Sequence, residues 1–418
     1  MRAAKVFFHV FLPFAAGHYL SSLLRNVNAV LAPNLVAAFA LSPAQLGLLT
    51  SSFFFAFALV QLPVGIALDR YGPRKVQLVL LMVAACGALM FAHSSSFTQL
   101  MVARALMGAG LGGCFMAAVK AISANISSDK LPSVQGYMIA VGGLGAATST
   151  MPVRMALDYT DWRGLCTILG AAAACIGLLV WVLAPRAAPA PSAAPSFKSV
   201  LAVYRDSAFR RTVSLLLVPH AVFFGVQGLW MGRWLSDVGH FGEGAVAYLL
   251  YLSMAAVIFG AIAVGMLTEW AARRGITPLD LGAVGVGVFI LVQVAIVANH
   301  VPSFALLSVM FTLVGTITGI EYAIVAQSMP AALTGRAATC LNLLIFVLAF
   351  LFQASFGLIV GMWAPTAGQH YPAIGYRVAF GVLIALQLPG LISFALERWR
   401  SARPRSGGWT PKTEGSST

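Results

Sequence analysis

The chain has 418 residues, of which 60% are hydrophobic and only 9% are charged, and its formal net charge is +14. Soluble domains are about one quarter charged, so this composition excludes a soluble globular protein. About 20 consecutive apolar residues suffice to cross a bilayer, and such stretches recur along nearly the whole chain. We therefore predict an all-α integral membrane protein that crosses the membrane many times.

The apolar stretches, taken in chain order, predict twelve membrane spans. They are residues 11–37, 46–68, 76–94, 98–122, 133–156, 163–185, 211–236, 244–268, 276–299, 303–327, 336–362 and 373–396. Most of the 26 Lys and Arg then fall on the side of both termini, and only Arg163 and Arg377 fall on the other side. This positive-inside bias predicts an inner (cytoplasmic) membrane protein with both termini in the cytoplasm. The positive charge is thus a topology signal and does not indicate a nucleic-acid partner.

A proline-rich segment, residues 187–196, separates six spans from six. Segments of this composition form extended connectors without a packed core. We predict an N-terminal six-helix bundle at 1–185, a cytoplasmic linker at 186–210, a C-terminal bundle at 211–397 and a disordered cytoplasmic tail at 398–418.

The most informative motif connects spans two and three. It begins at Gly65 and reads GIALDRYGPRK. A weaker copy closes span eight, where Gly265 precedes Glu269 by the same four residues that separate Gly65 from Asp69. The equal spacing indicates duplicated halves, an arrangement found in many membrane transporters.

These motifs resemble those of the major facilitator superfamily, and the resemblance extends over essentially the whole chain. The residues that carry it are Gly65, Asp69, Arg70, Gly72, Arg74 and Lys75 in the loop and Arg104, Gly108 and Gly110 in span four. The resemblance implies twelve helices in two pseudo-symmetric six-helix bundles around a central cavity. It also implies transport of a small molecule by alternating access.

The resemblance further implies that charged residues near the cytoplasmic loops act as gates. Asp69, Arg70 and Arg74 would contact the start of span eleven when the carrier faces outward, where a carboxylate can meet the positive end of a helix dipole. Glu269 and Arg273 would do the same against span five. The alternative is that these charges only anchor the loops and set the topology.

A charge within a span indicates function, because its transfer into lipid costs at least about 2.5 kcal/mol. Arg25 lies near the middle of span one, and His18 and Asn28 share its helix face. A guanidinium there can donate two parallel hydrogen bonds to a carboxylate or phosphate, and the resemblance to carriers of organic anions and sugar phosphates implies this role. The alternative is a structural pair between Arg25 and Glu321.

Span seven carries a second polar face. His220 and Gln227 are seven residues apart and share it, and we expect Gln227 and Trp230 to contribute to substrate binding. Arg233 and Trp234 lie nearer the outer end, where such side chains commonly anchor a helix at the membrane interface.

Glu321 is the acidic residue that we place well within a span, and it is a candidate proton carrier. His18 and His220 are alternatives, since histidine titrates near physiological pH. The resemblance ties Arg104 of span four to proton handling as well. A structural pair between Glu321 and Lys120 is the other interpretation.

We therefore predict a secondary active carrier that moves a small polar solute, an organic anion, together with H⁺, and that works as a monomer among membrane lipids. Efflux or antiport of a drug, an amino acid or a siderophore is the alternative, followed by a non-transporting receptor on the same fold. The GxGxxG run that begins at Gly108 lies inside a span, where a nucleotide site is not expected. The five cysteines lack the spacing of metal ligands, and no paired catalytic motif occurs. We therefore predict that the protein binds no metal or cofactor and is not an enzyme.

Overall fold

The computed structural model describes residues 6–126, 131–186, 197–298, 301–366 and 370–402. Over these residues the regular structure is helical, with no β-strand. Ten helical stretches are long and apolar enough to cross a membrane. One of them, Gln61–Ala92, is divided at Gly72 and contributes to two spans. The shorter helix Leu131–Thr148 supplies one more, so that twelve spans lie within the described residues.

The helices of the N-terminal half follow the predicted spans. Span one is Phe7–Phe11, Leu12–Asn26 and Asn28–Phe39, span two is Pro43–Leu59 with the first part of Gln61–Ala92, span three is the remainder of that helix, span four is Phe97–Leu111 and Cys114–Ser123, span five is Leu131–Thr148 and Met151–Ala156, and span six is Trp162–Leu183.

The C-terminal half repeats this order after a short helix, Phe197–Arg205. Span seven is Ser207–Gly225, Val226–Trp230 and Met231–Asp237, span eight is Glu243–Ala272, span nine is Pro278–Ala298, span ten is Phe304–Gly315, Thr316–Gly319 and Ile320–Ser328, span eleven is Ala331–Val360, and span twelve is Ala373–Ala402. Because consecutive spans alternate in direction, the connections after odd-numbered spans share one end. We call it the outer end, in keeping with the predicted orientation, and the opposite end the inner end.

Side-chain caps define where several spans begin. Ser42 and Gln45 form a reciprocal capping box at the start of Pro43–Leu59. The carboxylates of Asp161 and Asp206 accept hydrogen bonds from the first turns of spans six and seven. Gly72 has a φ of 79°, a conformation that glycine adopts without steric cost, and it breaks the helix inside the loop motif.

Small residues allow the spans to pack closely. A Cβ atom on Gly108 of span four would lie 2.2 Å from the carbonyl oxygen of Phe53, and one on Gly145 of span five would lie 2.2 Å from that of Tyr19. The two halves meet where span two packs on span eleven and span five packs on span eight. Close approach of this kind replaces the hydrophobic driving force that is missing between helices in lipid.

The predicted linker contains a helix, Phe197–Arg205, that packs on span eleven. Val203 is buried there, and the hydroxyl of Tyr204 donates to the carbonyl oxygen of Cys340 at 3.4 Å. The proline-rich segment 187–196 lies outside the described residues. The helix of span twelve continues through Ala402, five residues into the predicted tail, and the tail beyond it is likewise outside the described residues.

Candidate functional site

Helix Leu12–Asn26 of span one passes into helix Asn28–Phe39 through Val27, whose backbone is also helical. Beside this junction, Arg104 of span four is completely buried and donates from Nη1 to the carbonyl oxygen of Leu24 at 2.9 Å. The Arg104 guanidinium also lies 4.9 Å from the ring centroid of Phe53. Arg104 therefore holds the turn of span one that precedes Arg25.

Arg25 occupies the last turn of helix Leu12–Asn26 and reaches across to the other bundle. Its guanidinium carbon lies 5.3 Å from the ring centroid of Phe224 in span seven. Its Nε is buried and has no hydrogen-bond partner in the part of the chain that the structure describes. No ion pair joins Arg25 to Glu321 there, so the structural alternative for Arg25 is wrong in this conformation.

The carboxylate of Glu321 instead pairs with a histidine. Its Oε1 lies 2.5 Å from Nδ1 of His220, and both side chains are buried. The other oxygen, Oε2, has no hydrogen-bond partner among the described residues. Because Lys120 pairs with Asp69, the expected alternative between Glu321 and Lys120 is also wrong. Two of the three candidate proton carriers thus form one unit.

The ring of Phe224 contacts both the His220–Glu321 pair and Arg25. The His220 ring stacks on Phe224 with centroids 5.1 Å apart and an angle of 13° between the planes. The guanidinium of Arg25 lies over the same Phe224 ring. Beside them the hydroxyl of Tyr322 donates to Oδ1 of Asn342. Spans one, seven, ten and eleven therefore converge on one polar cluster in the apolar interior.

The remaining residues of the predicted polar face of span one lie on either side of this cluster. His18 packs on Phe115 with ring centroids 5.0 Å apart, and its Nδ1 is buried without a hydrogen-bond partner in the described chain. Asn28 is completely buried and donates to Thr50 at 3.3 Å. In this conformation Asn28 joins spans one and two, whereas the Nδ1 atom of His18 is left without a hydrogen-bond partner among the described residues.

On span seven, Gln227 accepts a hydrogen bond from Thr312 at 2.7 Å, and its Nε2 has no partner among the residues described. Trp230 is 1% exposed and donates to the carbonyl oxygen of Gln353 at 2.9 Å. A Cβ atom on Gly47 or on Gly357 would lie 2.9 Å from the Trp230 ring. Trp230 therefore lies in a layer that joins spans two, seven and eleven towards the outer end.

The assignment of Arg233 and Trp234 as interface anchors is wrong. Trp234 is 1% exposed and packs on Phe304 with ring centroids 4.4 Å apart. Arg233 pairs with Asp237 at 3.0 Å. The sequence places both residues near a span end, but the helix rotation turns them into the protein.

The predicted gating residues of the first half contact their own bundle. Asp69 pairs with Lys120 of span four. Arg74 donates to the carbonyl oxygen of Trp181 at 2.7 Å and lies over that ring. The other predicted gating residues are exposed at the inner end: Arg70, Glu269 and Arg273.

Sequence reasoning missed Phe224 as a neighbour of Arg25 and the His220–Glu321 pair, and it did not join Tyr322 to Asn342. A phenylalanine in an apolar span gives no local signal. Asn342 and Tyr322 are polar residues within spans, which was a usable signal, but their mutual contact depends on how spans ten and eleven pack.

Comparisons with known proteins agree with this architecture. The family model described as Major Facilitator Superfamily matches residues 14–352. The bacterial homologue of the human lysosomal transporter Spinster, solved in an inward-facing and unoccupied conformation, superposes with a TM-score of 0.75 at 16% identity and covers 97% of this chain and 99% of its own. The D-xylose-proton symporter superposes with a TM-score of 0.71 at 14% identity, over 96% of this chain and 98% of its own. At these identities the likeness shows the fold.

Curated relatives are also similar over parts of the chain. The probable sulfoacetate transporter of Cupriavidus necator is 29% identical over 39% of this chain, a region that covers 38% of that relative's length. The cis,cis-muconate transport protein of Acinetobacter baylyi is 26% identical over 72% of this chain and 75% of its own. The L-fucose-proton symporter of Escherichia coli is 30% identical over 22% of each chain.

Proposed function

Since the chain belongs to the Major Facilitator Superfamily of membrane transporters, we propose that it takes up a small organic anion together with H⁺. The observation that carries this proposal is Arg25, a guanidinium between the two bundles whose Nε is buried without a hydrogen-bond partner in the described chain. Arg25 is partly buried, and removing a cation from water is costly unless it is paired. An anionic substrate with a planar carboxylate or a sulfonate would supply that pairing.

The relatives support the same class of cargo. The names of two of them specify sulfoacetate and cis,cis-muconate, both small organic dianions, and another is named as a proton symporter. These substrates belong to the relatives. They make the two dianions the first compounds to test here.

Charge balance explains how an anion and a proton would be coupled. Without an added proton, the His220–Glu321 pair would carry one negative charge that offsets Arg25. A bound dianion would then leave two excess negative charges in a low-dielectric interior, where such an excess is expensive. One proton on the pair would remove one of these two excess charges. Anion and proton therefore favour each other's binding.

Alternating access would arise from the contacts between the bundles. At the outer end, Arg154 of span five lies 3.5 Å from Glu243 of span eight, and Trp230 packs between Gly47 and Gly357. We propose that this conformation is closed outward. Opening would separate these contacts, and the inner gates would then close.

The inner gates would be formed by Asp69, Arg70 and Arg74 on one side and by Glu269 and Arg273 on the other. We place the carrier in the cytoplasmic membrane as a monomer, with both termini inside. The predicted division into two bundles and a linker is part of the same proposal.

The proposal is tested by uptake of labelled sulfoacetate and cis,cis-muconate into proteoliposomes with an inwardly directed proton gradient. Arg25→Ala removes a bidentate charge-assisted contact worth about 3 kcal/mol, so uptake should fall at least about 100-fold. Arg25→Lys keeps the charge but not the planar fork, and an intermediate loss is expected.

Arg211→Ala is the matched control, because it removes an exposed arginine that pairs with Glu397 at the inner end of span seven, on the helix that carries His220. It should transport like the wild type. Undiminished uptake by both Arg25 variants would contradict the assignment of Arg25 to the substrate.

A further inference from the structure

A cavity lies at the outer end, between the two bundles. Its volume is about 260 Å³, the space of roughly nine water molecules. One wall comes from the end of span one and the start of span two, and the other from span seven and the segment before span twelve. Trp230 lines it and also belongs to the layer that joins the bundles, so this layer separates the cavity from the central cluster.

The charge that faces this cavity is positive. The carboxylate of Asp237 is bonded by three donors, with Arg233 at 3.0 Å, His370 at 3.2 Å and Tyr376 at 2.6 Å. The Asp237 side chain is only 1% exposed, whereas that of Arg233 is 13% exposed. The carboxylate therefore fixes the arginine in place but presents almost no surface of its own.

The rest of the lining suits a short organic anion. Helix Pro43–Leu59 begins at the cavity, and Ser42 precedes it. The positive end of that helix dipole favours negative charge. The hydroxyl of Tyr371 can donate a hydrogen bond, and Val36 and Leu46 offer apolar surface to a carbon chain.

We propose that this cavity is a second, outer binding site for a small organic dianion, in which Arg233 and Tyr371 hold the charged group before the bundles open. The inference rests on the proposed function, since it assigns the same class of cargo to the outer entrance. A fixed cation at an entrance raises the local concentration of an anionic substrate and the rate at which it is captured.

The test is a calorimetric titration of the purified full-length protein with sulfoacetate and with cis,cis-muconate. Arg25→Ala removes the central contact. At least one of the two dianions should still bind to this variant, with a dissociation constant at least about tenfold above that of the wild type, because the single exposed arginine of the outer cavity remains.

Adding Arg233→Gln to Arg25→Ala should abolish the residual binding. Adding Val36→Phe to Arg25→Ala should also abolish the residual binding, because the phenyl ring fills the cavity and leaves Asp237 unchanged. This second variant keeps the test valid if the Arg233 variant fails to fold. Ala37→Phe is the control, because Ala37 is the next residue of the same helix and is exposed. It should leave the residual binding unchanged.

Two results would overturn the inference alone: no residual binding to Arg25→Ala, or residual binding that survives Val36→Phe. A wild type that binds neither dianion would contradict the inference and the proposed cargo together. Failure of the proposed function is a separate result, namely an Arg25→Ala protein that transports and binds like the wild type.

Discussion

Replacing Glu321 with glutamine should tighten anion binding while abolishing proton-driven accumulation. Glutamine has nearly the same shape and can still bond to Nδ1 of His220, so the change mainly removes a charge. When no proton has been added, the wild-type pair carries one negative charge and the variant pair carries none. A bound anion is therefore repelled in the wild type and not in the variant.

The structure gives the size of this effect. The Cζ atom of Arg25 lies 5.3 Å from the centroid of Phe224, and the centroid of the His220 ring lies 5.1 Å from it, so the Arg25 guanidinium and the His220 ring are at most about 10 Å apart. For a separation of about 10 Å between a bound anion and the pair, two unit charges at an effective dielectric constant of about 20 repel each other by about 1.7 kcal/mol. This corresponds to binding that is roughly 15- to 20-fold tighter in Glu321→Gln.

The assay is equilibrium binding of sulfoacetate or cis,cis-muconate at several pH values, combined with uptake into energised vesicles. Wild-type affinity should weaken as pH rises, because in the proposed mechanism proton binding and anion binding favour each other. Glu321→Gln should bind more tightly than the wild type at the alkaline end and should equilibrate the anion without concentrating it. Equal or weaker alkaline binding by Glu321→Gln, or retained accumulation, would refute the coupling through charge balance.

Three further predictions concern packing and gating. Gly145→Ala should destabilise the protein by about 1 to 3 kcal/mol in thermal unfolding, because the new methyl group meets a backbone carbonyl, whereas Gly136→Ala, with open space around it, should not. Asp69→Asn should lower the maximal transport rate but change stability by less than about 1 kcal/mol, since its ion pair is partly exposed; unchanged transport would remove Asp69 from the gate. Glu243→Gln breaks the contact with Arg154 and should raise the outward-open population by up to about fivefold, measured by labelling of an outer-end cysteine; unaltered labelling would argue against this contact as a latch.

The outer cavity and the central cluster share a chemical pattern. Each holds an arginine and a carboxylate at an interface between the bundles, and a histidine bonds each carboxylate. They differ in the contacts of the arginine. Arg233 pairs directly with Asp237, whereas Arg25 forms no ion pair with Glu321 in the part of the chain that the structure describes.

The amino-acid sequence by itself determined the membrane fold, the twelve spans and their approximate ends. These features depend on local properties, namely the length of each apolar stretch and the distribution of Lys and Arg around it. The loop motif beginning at Gly65 and the charges at Arg25 and Glu321 were likewise visible, because a polar residue in an apolar run stands out without knowledge of its neighbours. The helix Phe197–Arg205 within the predicted linker was not foreseen.

Only the tertiary structure decided which of these residues meet. Glu321 bonds His220, Lys120 bonds Asp69, and Trp230 lies in the layer between the bundles and away from the central cluster. A side chain at a given depth in a twelve-helix protein can face any of several helices or the lipid. Its partner depends on helix rotation and on close approaches at particular glycines, and these are set by packing between segments far apart in the chain.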